Sequence, residues 1–298
     1  MVIGAGIAGL TAALECFDIQ LDVLVLDRAD RVGGQIDEIP HDVRNLAPSP
    51  DGNAQLLEAA ARSSTRLADR LVLGTPVDGV DLEAGVVLAG PARHEAAAVV
   101  IATGSRRREL DLAPDGALGG DVTYLLEPQL DRFSGQRAVV VGGGDSAVLD
   151  ALALAEHRSR VTLVHRGAAL SARHDLVARL RAEPLVTELA GWSVERLVGP
   201  DRLRAVVVAD ASTGEHRPLE ATRLVLKLGR EPCVELVRGQ VELGPRGGIA
   251  VDAELRTSHP RAFAAGDVVE GAYERIAAAM GQGSLVARSV LRHLERCR

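Results

Sequence analysis

The first thirty residues fall into three successive patterns of apolar positions. In MVIGAGIAGLTAALECFDIQLDVLVLDRA an apolar entry leads into three glycines, Ile7, Leu10 and Leu14 then recur at helical spacing, and LDVLVLD reads as a strand. That order predicts a strand–turn–helix–strand unit. A helical pattern follows over 53–68, and short apolar runs at 71–73, 77–82, 86–89 and 97–102 are separated by Gly, Pro and Asp turns. These runs predict a small antiparallel layer returning to a buried strand, AAVVIATG. After the link LDLAPDGALGGD, a second strand–glycine–helix–strand unit runs from Arg137 to VTLVHRG, with strands near 203–209 and 222–228. The chain then passes through LGPRGGIAVD and RAFAAGD to a last helix from about Glu274 to His293. The pattern is an approximate repeat of nucleotide-type units with different continuations. It predicts an α/β protein of two nucleotide-binding three-layer domains, the second inserted into the first: 1–113, then 114–237, then 238–298.

Composition narrows the class without changing this picture. The 298 residues are 47% hydrophobic and 25% charged but 2% aromatic, so Ala, Val and Leu must fill the core. A net charge of −7 gives no general affinity for nucleic acid or anionic membranes. No apolar run approaches a membrane span, and Met1 lies close to the first glycine loop, which leads us to expect a cytoplasmic protein without a signal peptide. Cys16, Cys233 and Cys297 are far apart, and the histidines form no metal-spaced cluster. Neither a disulfide framework nor a metal site is expected.

With 31 glycines in the chain, a bare GxGxxG arises by chance about 0.3 times, so only context gives it meaning. Gly4 and Gly6 follow a strand, Gly9 falls where helix must pack on strand, and Asp27 ends the next strand. Missing side chains let backbone approach a pyrophosphate at a helix N-terminus, and a carboxylate at that strand end accepts from a ribose. A glycine-rich structural turn is the alternative. Gly142, Gly144 and Ala147 repeat the arrangement, with Asp145 and Ser146 inside the loop. Here the second strand ends in His165-Arg166, whose positive charge suits the 2′-phosphate of NADPH, with NADH still possible. Arg166 also reads as an ordinary solvated charge.

The motifs GAGIAG at 4–9, Asp27, GGQI at 33–36, IATGS at 101–105, GGGDSA at 142–147, HR at 165–166 and TSHPRAFAAGD at 257–267, taken in this order, resemble the low-molecular-weight thioredoxin reductase family of FAD-dependent pyridine nucleotide oxidoreductases. The resemblance covers nearly the whole chain. It implies that Gly4, Gly6, Gly9 and Asp27 hold the FAD pyrophosphate and ribose, and that Gly34 and Gln35 lie beside the flavin. Thr103 and Gly104 would line the same site. Asp267 would bond the ribityl or pyrophosphate region, and Arg275 and Ile276 would stand at the start of a last helix aimed at the flavin. The NADPH site would use Gly142, Gly144, Asp145, Ser146, Ala147, His165 and Arg166.

The departures from that family carry as much information. Its CxxC pair precedes the second nucleotide unit, where this chain has YLLEPQ at 124–129. Disulfide exchange needs an attacking and a resolving thiol, and no cysteine pair is present. Cys16 reads as helix packing. The chain thus looks closest to the thioredoxin-reductase-like ferredoxin–NADP reductases, although Gly167 and Ser171 stand where such enzymes carry further arginines, and the sequence stops at Arg298 with the last helix, where they usually carry an extension expected to cover the flavin. Arg173 has a different spacing. The expected activity is electron transfer from NADPH through FAD, without a redox disulfide, to ferredoxin or flavodoxin. Arg106-Arg107-Arg108 or the stretch Arg173 to Arg181 would be the landing surface, unless these charges are simply solvated. The alternatives are a flavin enzyme acting directly on a small molecule such as a thiol or on oxygen, with Glu127, His41 and Tyr124 as candidate groups, and a non-enzymatic flavin-binding protein. The resemblance also implies a homodimer.

Overall fold

Strand β1 (Val2–Ile3) enters the first glycine turn, α1 (Ile7–Asp18) leaves it, and β2 (Val25–Leu26) returns, as the apolar spacing predicts. The computed structural model describes residues 1–39, 43, 46, 53–110, 112, 118, 120–126 and 129–296; His41, Glu127 and Cys297 lie outside them. A 3-10 turn at Gly34–Glu38, α2 (Asn53–Ser64) and β3 (Leu71–Val72) come next, then β4 (Gly79–Asp81), β5 (Val86–Ala89), β6 (Ala92–Glu95), β7 (Val99–Ile101) and β8 (Ser105–Arg107). After β9 (Val122–Thr123) and α3 (Leu130–Phe133), the second unit is built on β10 (Arg137–Val141), α4 (Asp145–Glu156) and β11 (Arg160–His165). It continues through α5 (His174–Ala182), β12 (Val186–Ala190), β13 (Trp192–Val198), β14 (Ala205–Asp210), β15 (His216–Glu220) and β16 (Arg223–Leu226). The chain closes with β17 (Arg230–Pro232), β18 (Ala262–Ala264) and α6 (Ile276–Arg296).

Residues 1–106 with 230–298 pack as one compact unit and 107–229 as the other. The crossings fall seven and eight residues before the junctions at 113/114 and 237/238 read from the sequence. In the first unit a five-stranded parallel sheet has the order β18-β7-β1-β2-β3. Its strands alternate cleanly: Val2, Val25, Val100 and Phe263 face α1 and α6 in one core, while Ile3, Leu26, Val99, Ile101 and Ala262 face the β4-β5-β6 meander side in another. This is a three-layer stack, the period-2 direction of strand side chains making two cores from one sheet. Gly283 allows α6 to lie on α1, since a Cβ there would sit 2.4 Å from the Ala8 carbonyl oxygen.

The second unit repeats the plan. Its parallel sheet has the order β12-β11-β10-β16-β9, beside the antiparallel meander β13-β14-β15. Ala138, Val140, Val161 and Leu163 pack with α4 and α5 residues, and Val139, Val141, Val164 and Leu226 pack with Trp192 and Val206. A polar group interrupts this apolar filling: Asp121, 1% exposed, accepts from the buried Arg223 Nη1 at 2.5 Å and from Nε of the exposed Arg202 at 2.7 Å.

Two expectations need correction. The apolar run at 71–73 does not join the antiparallel layer: β3 pairs parallel with β2, because a short apolar run encodes burial but not its partner. The strands β12, β13 and β15, and the helix α5, were not foreseen. The meander strands carry exposed charged positions such as Glu195, Arg196 and Arg217, which hide any apolar run.

Candidate functional site

In the first turn the three glycines have different physical reasons. Gly4 has φ +106°, and a Cβ on it would lie 2.3 Å from the Ala102 carbonyl oxygen; one on Gly9 would lie 1.9 Å from the Gly4 carbonyl oxygen. Both are required by backbone packed on backbone. Gly6, by contrast, has nothing within 4 Å of its Cβ position. It precedes α1, whose first N–H groups lack intrahelical partners, so the open side of the turn could hold an anion. The Asp27 carboxylate accepts from the backbone N–H of Ala5 and of Ala29, which fastens it to that turn.

The GGQI segment is laid against the same turn. Gly33 bridges Gly6 in parallel fashion, its N–H donating to the Ala5 carbonyl at 3.0 Å, and a Cβ on Gly34 would touch Gly6 Cα at 3.0 Å. Gln35 is thereby aimed across a cavity of about 270 Å³, lined among others by Gly6, Gln35, Gly104, Arg230, Asp267 and Ile276. Its Nε2 donates to Asp267 Oδ2 at 3.2 Å and Ser105 Oγ at 3.3 Å. Burial pushes the Asp267 carboxyl above its usual range. Thr103 lies apart from the others, its hydroxyl donating to the Cys233 carbonyl at 2.6 Å. Arg275 lines the cavity and is exposed, with its guanidinium over the Tyr273 ring at 4.9 Å.

The sequence reading missed a further group. Arg230 donates from Nε to Ser105 Oγ at 3.0 Å, from Nη2 to the Ser105 carbonyl at 2.9 Å and from Nη1 to Glu38 Oε2 at 3.2 Å. A lone Arg in a GREP turn gives no local signal of this. Gln282 was missed too: from α6 its Oε1 accepts from the Gly266 N–H at 2.7 Å, which holds the turn before Asp267. An open glycine, helix-start N–H groups without intrahelical partners, a fastened carboxylate and a largely apolar cavity with a few polar and charged groups fit the residues to FAD.

The second turn follows the same geometry. Gly142 has φ +142° and a Cβ on it would lie 2.3 Å from the Lys227 carbonyl oxygen, while Gly144, preceding α4, meets only Ser171 Oγ at 4.0 Å. Ala147 is buried. Residues after β11 fold back over this turn: Ser171 N–H donates to the Gly143 carbonyl at 2.8 Å and Arg173 N–H to Asp145 Oδ1 at 2.8 Å. Ser146 and Arg166 are exposed. His165 is buried, its Nε2 3.2 Å from Glu188 Oε1, so only Arg166 of the pair reaches solvent.

Other candidate groups are already engaged. The Tyr124 hydroxyl accepts from Leu110 N–H at 3.0 Å, and Lys227 Nζ donates to the Tyr124 carbonyl at 2.9 Å while pairing with Asp150. Arg106 pairs with Glu231 and Glu235, Arg173 with Asp175 and Arg181 with Glu188. Cys16, on α1, is buried, and burial pushes its thiol up to about 11. Cys233 is buried after β17.

A family model described as pyridine nucleotide-disulphide oxidoreductase matches residues 1–283. The chain belongs to that family. The thioredoxin reductase of Streptomyces clavuligerus is 33% identical over 301 residues, covering 99% of this chain and 93% of that protein. An alkyl hydroperoxide reductase component of Pseudomonas putida is 30% identical over 99% of this chain but 58% of its own length. Among solved structures, Lactococcus lactis thioredoxin reductase in its FR conformation superposes with a TM-score of 0.80 at 26% identity, covering 99% of this chain and 98% of that one. The protein is therefore an FAD-dependent, NADPH-linked oxidoreductase with the two-domain thioredoxin reductase fold. No helix among the described residues is long and apolar enough to cross a membrane.

Proposed function

We propose that this pyridine nucleotide oxidoreductase works without a redox disulfide and delivers electrons from NADPH, by way of FAD, to an external acceptor such as ferredoxin or flavodoxin. The observation that carries this reading is the cysteine inventory. YLLEPQ occupies 124–129, and the three cysteines are at 16, 233 and 297, so no two of them are close enough in sequence to form a CxxC exchange pair. Relatives named thioredoxin reductase share the fold, but thioredoxin reduction by a CxxC pair does not transfer with it.

In this reading Gly4 and Gly9 shape the first turn, Gly6 and the α1 N-terminus receive the FAD pyrophosphate, and Asp27 accepts from its ribose. Gly34, Gln35, Gly104, Asp267, Arg275 and Ile276 surround the remainder, and Thr103 supports this wall from behind through its bond to the Cys233 carbonyl. In the second turn Gly142 and Ala147 set the geometry, Gly144, Asp145, Ser146 and the α4 N-terminus receive the NADPH pyrophosphate, and Arg166 pairs with the 2′-phosphate. His165 supports the end of β11 through Glu188. When bound, FAD supplies hydride acceptance and release of electrons to the acceptor. The paired state of Arg106, Arg173 and Arg181 favours a second reading, in which a small molecule takes the electrons directly, because these side chains offer a protein partner little unpaired positive charge.

Anaerobic stopped-flow mixing with NADPH or NADH, following flavin bleaching, tests the proposal. Rapid bleaching by NADPH and ferredoxin-dependent cytochrome c reduction well above the ferredoxin-free rate are expected. Absence of bleaching by either nucleotide overturns the reductase reading, and bleaching without any ferredoxin or flavodoxin effect moves the assignment to a small-molecule acceptor.

A further inference from the structure

We propose that Arg230 is the cation that sets the reduction potential of the flavin in the first unit's cavity, an inference that rests on FAD occupying that cavity. Its side chain is 20% exposed and lines the cavity. Two bonds to Ser105, from Nε to the hydroxyl and from Nη2 to the carbonyl, fix the guanidinium against the main chain. With the Glu38 contact, three of its five N–H donors are engaged. Two-electron reduction with uptake of one proton leaves the isoalloxazine with one negative charge. A guanidinium held in place beforehand favours that reduced form without reorganising, and charge placed near the ring is the lever by which protein tunes a flavin.

The neighbouring charges give the proposal its sign test. Glu38, 3.2 Å from Nη1, offsets part of the positive charge. Arg275 is exposed, over Tyr273, where solvent and salt screen it more strongly. Asp267 lines the same cavity, and its burial disfavours the charged carboxylate. Removing Arg230 must therefore disfavour reduction, and removing Glu38 must favour it.

The experiment is a mediated dithionite titration of the FAD-loaded protein and of the variants Arg230→Met, Arg230→Lys and Glu38→Gln. For Arg230→Met the ratio of reduced to oxidised flavin at a fixed potential should fall about tenfold, equivalent to about 30 mV for a two-electron couple. Arg230→Lys should stay near the parent, and Glu38→Gln should shift the opposite way. Shifts of the same sign for Arg230→Met and Glu38→Gln, or no shift in either, overturn the proposal, since mere loosening of the Ser105 contact cannot produce opposite signs. If Arg230→Met fails to hold FAD, Glu38→Gln decides alone: an upward shift supports the proposal and an unchanged potential overturns it. Dithionite does not use the nicotinamide site, so failure of NADPH to bleach the flavin counts against the functional reading and leaves this comparison intact.

Discussion

The two glycine turns are built alike where backbone meets backbone and differ where a ligand would be distinguished. The first glycine of each closes on a neighbouring strand, with a Cβ at Gly4 or Gly142 reaching 2.3 Å from a carbonyl oxygen, and the second faces open space at Gly6 or Gly144. The third position separates them. A methyl on Gly9 would strike the Gly4 carbonyl, whereas Ala147 is buried among α4 and β10 side chains. The strand ends differ as well: Asp27 is bonded to backbone N–H groups beside its turn, while His165 turns into the protein and leaves Arg166 exposed. The segments laid over the turns also differ, Gly33-Gly34 over the first and Ser171 to Arg173 over the second. The shared motif thus builds the same backbone turn twice, and what differs lies outside it, Asp27 with Gly33-Gly34 at the first turn and Arg166 with Ser171 to Arg173 at the second.

The strongest way to break the comparison is Gly9→Ala. Alanine gains roughly 1 kcal/mol of helix propensity, but the collision is with main chain that has no flexible end to move, and a net loss of about 3 kcal/mol is expected in urea unfolding, with FAD lost on purification. A variant as stable as the parent would remove the close-packing account of that glycine. Next, Gly6→Val should leave folding largely intact, because the space is open, yet weaken FAD about thirtyfold, or about 2 kcal/mol, in fluorescence titration. Unchanged affinity would show that the pyrophosphate does not pass over Gly6.

Smaller effects sharpen the difference at the strand ends. Arg166→Ala should raise the KM for NADPH about tenfold and that for NADH far less, as loss of one charge-assisted contact implies; equal changes would rule out a 2′-phosphate role. Ala147→Gly should be the mildest, costing about 1 kcal/mol through helix propensity with NADPH affinity kept. If it destabilises as much as Gly9→Ala, the two third positions are not distinct in the way proposed.

Local pattern alone located both turns, α1, α4, the strands flanking each turn and the order of the two units. Those features depend on period, on the absence of a Cβ and on apolar runs, which neighbours in sequence carry. The sequence placed the 71–73 run in the antiparallel layer, whereas β3 pairs parallel with β2, and it was silent on the charged strands of the second meander, since pairing is chosen by the whole sheet. It also joined His165 and Arg166 as one cationic pair, although their side chains part company where the strand ends.

What the sequence determined by itself is thus the pair of glycine turns and the absence of a CxxC motif, both statements about which residues stand next to which. Tertiary structure alone decided the cavity's polar chain. Gln35 meets Ser105 across 70 residues and Asp267 across 232, and Ser105 meets Arg230 across 125. Such contacts arise only when parallel strands bring their carboxyl ends together, because hydrogen bonding acts over about 3 Å of space and takes no account of distance along the chain.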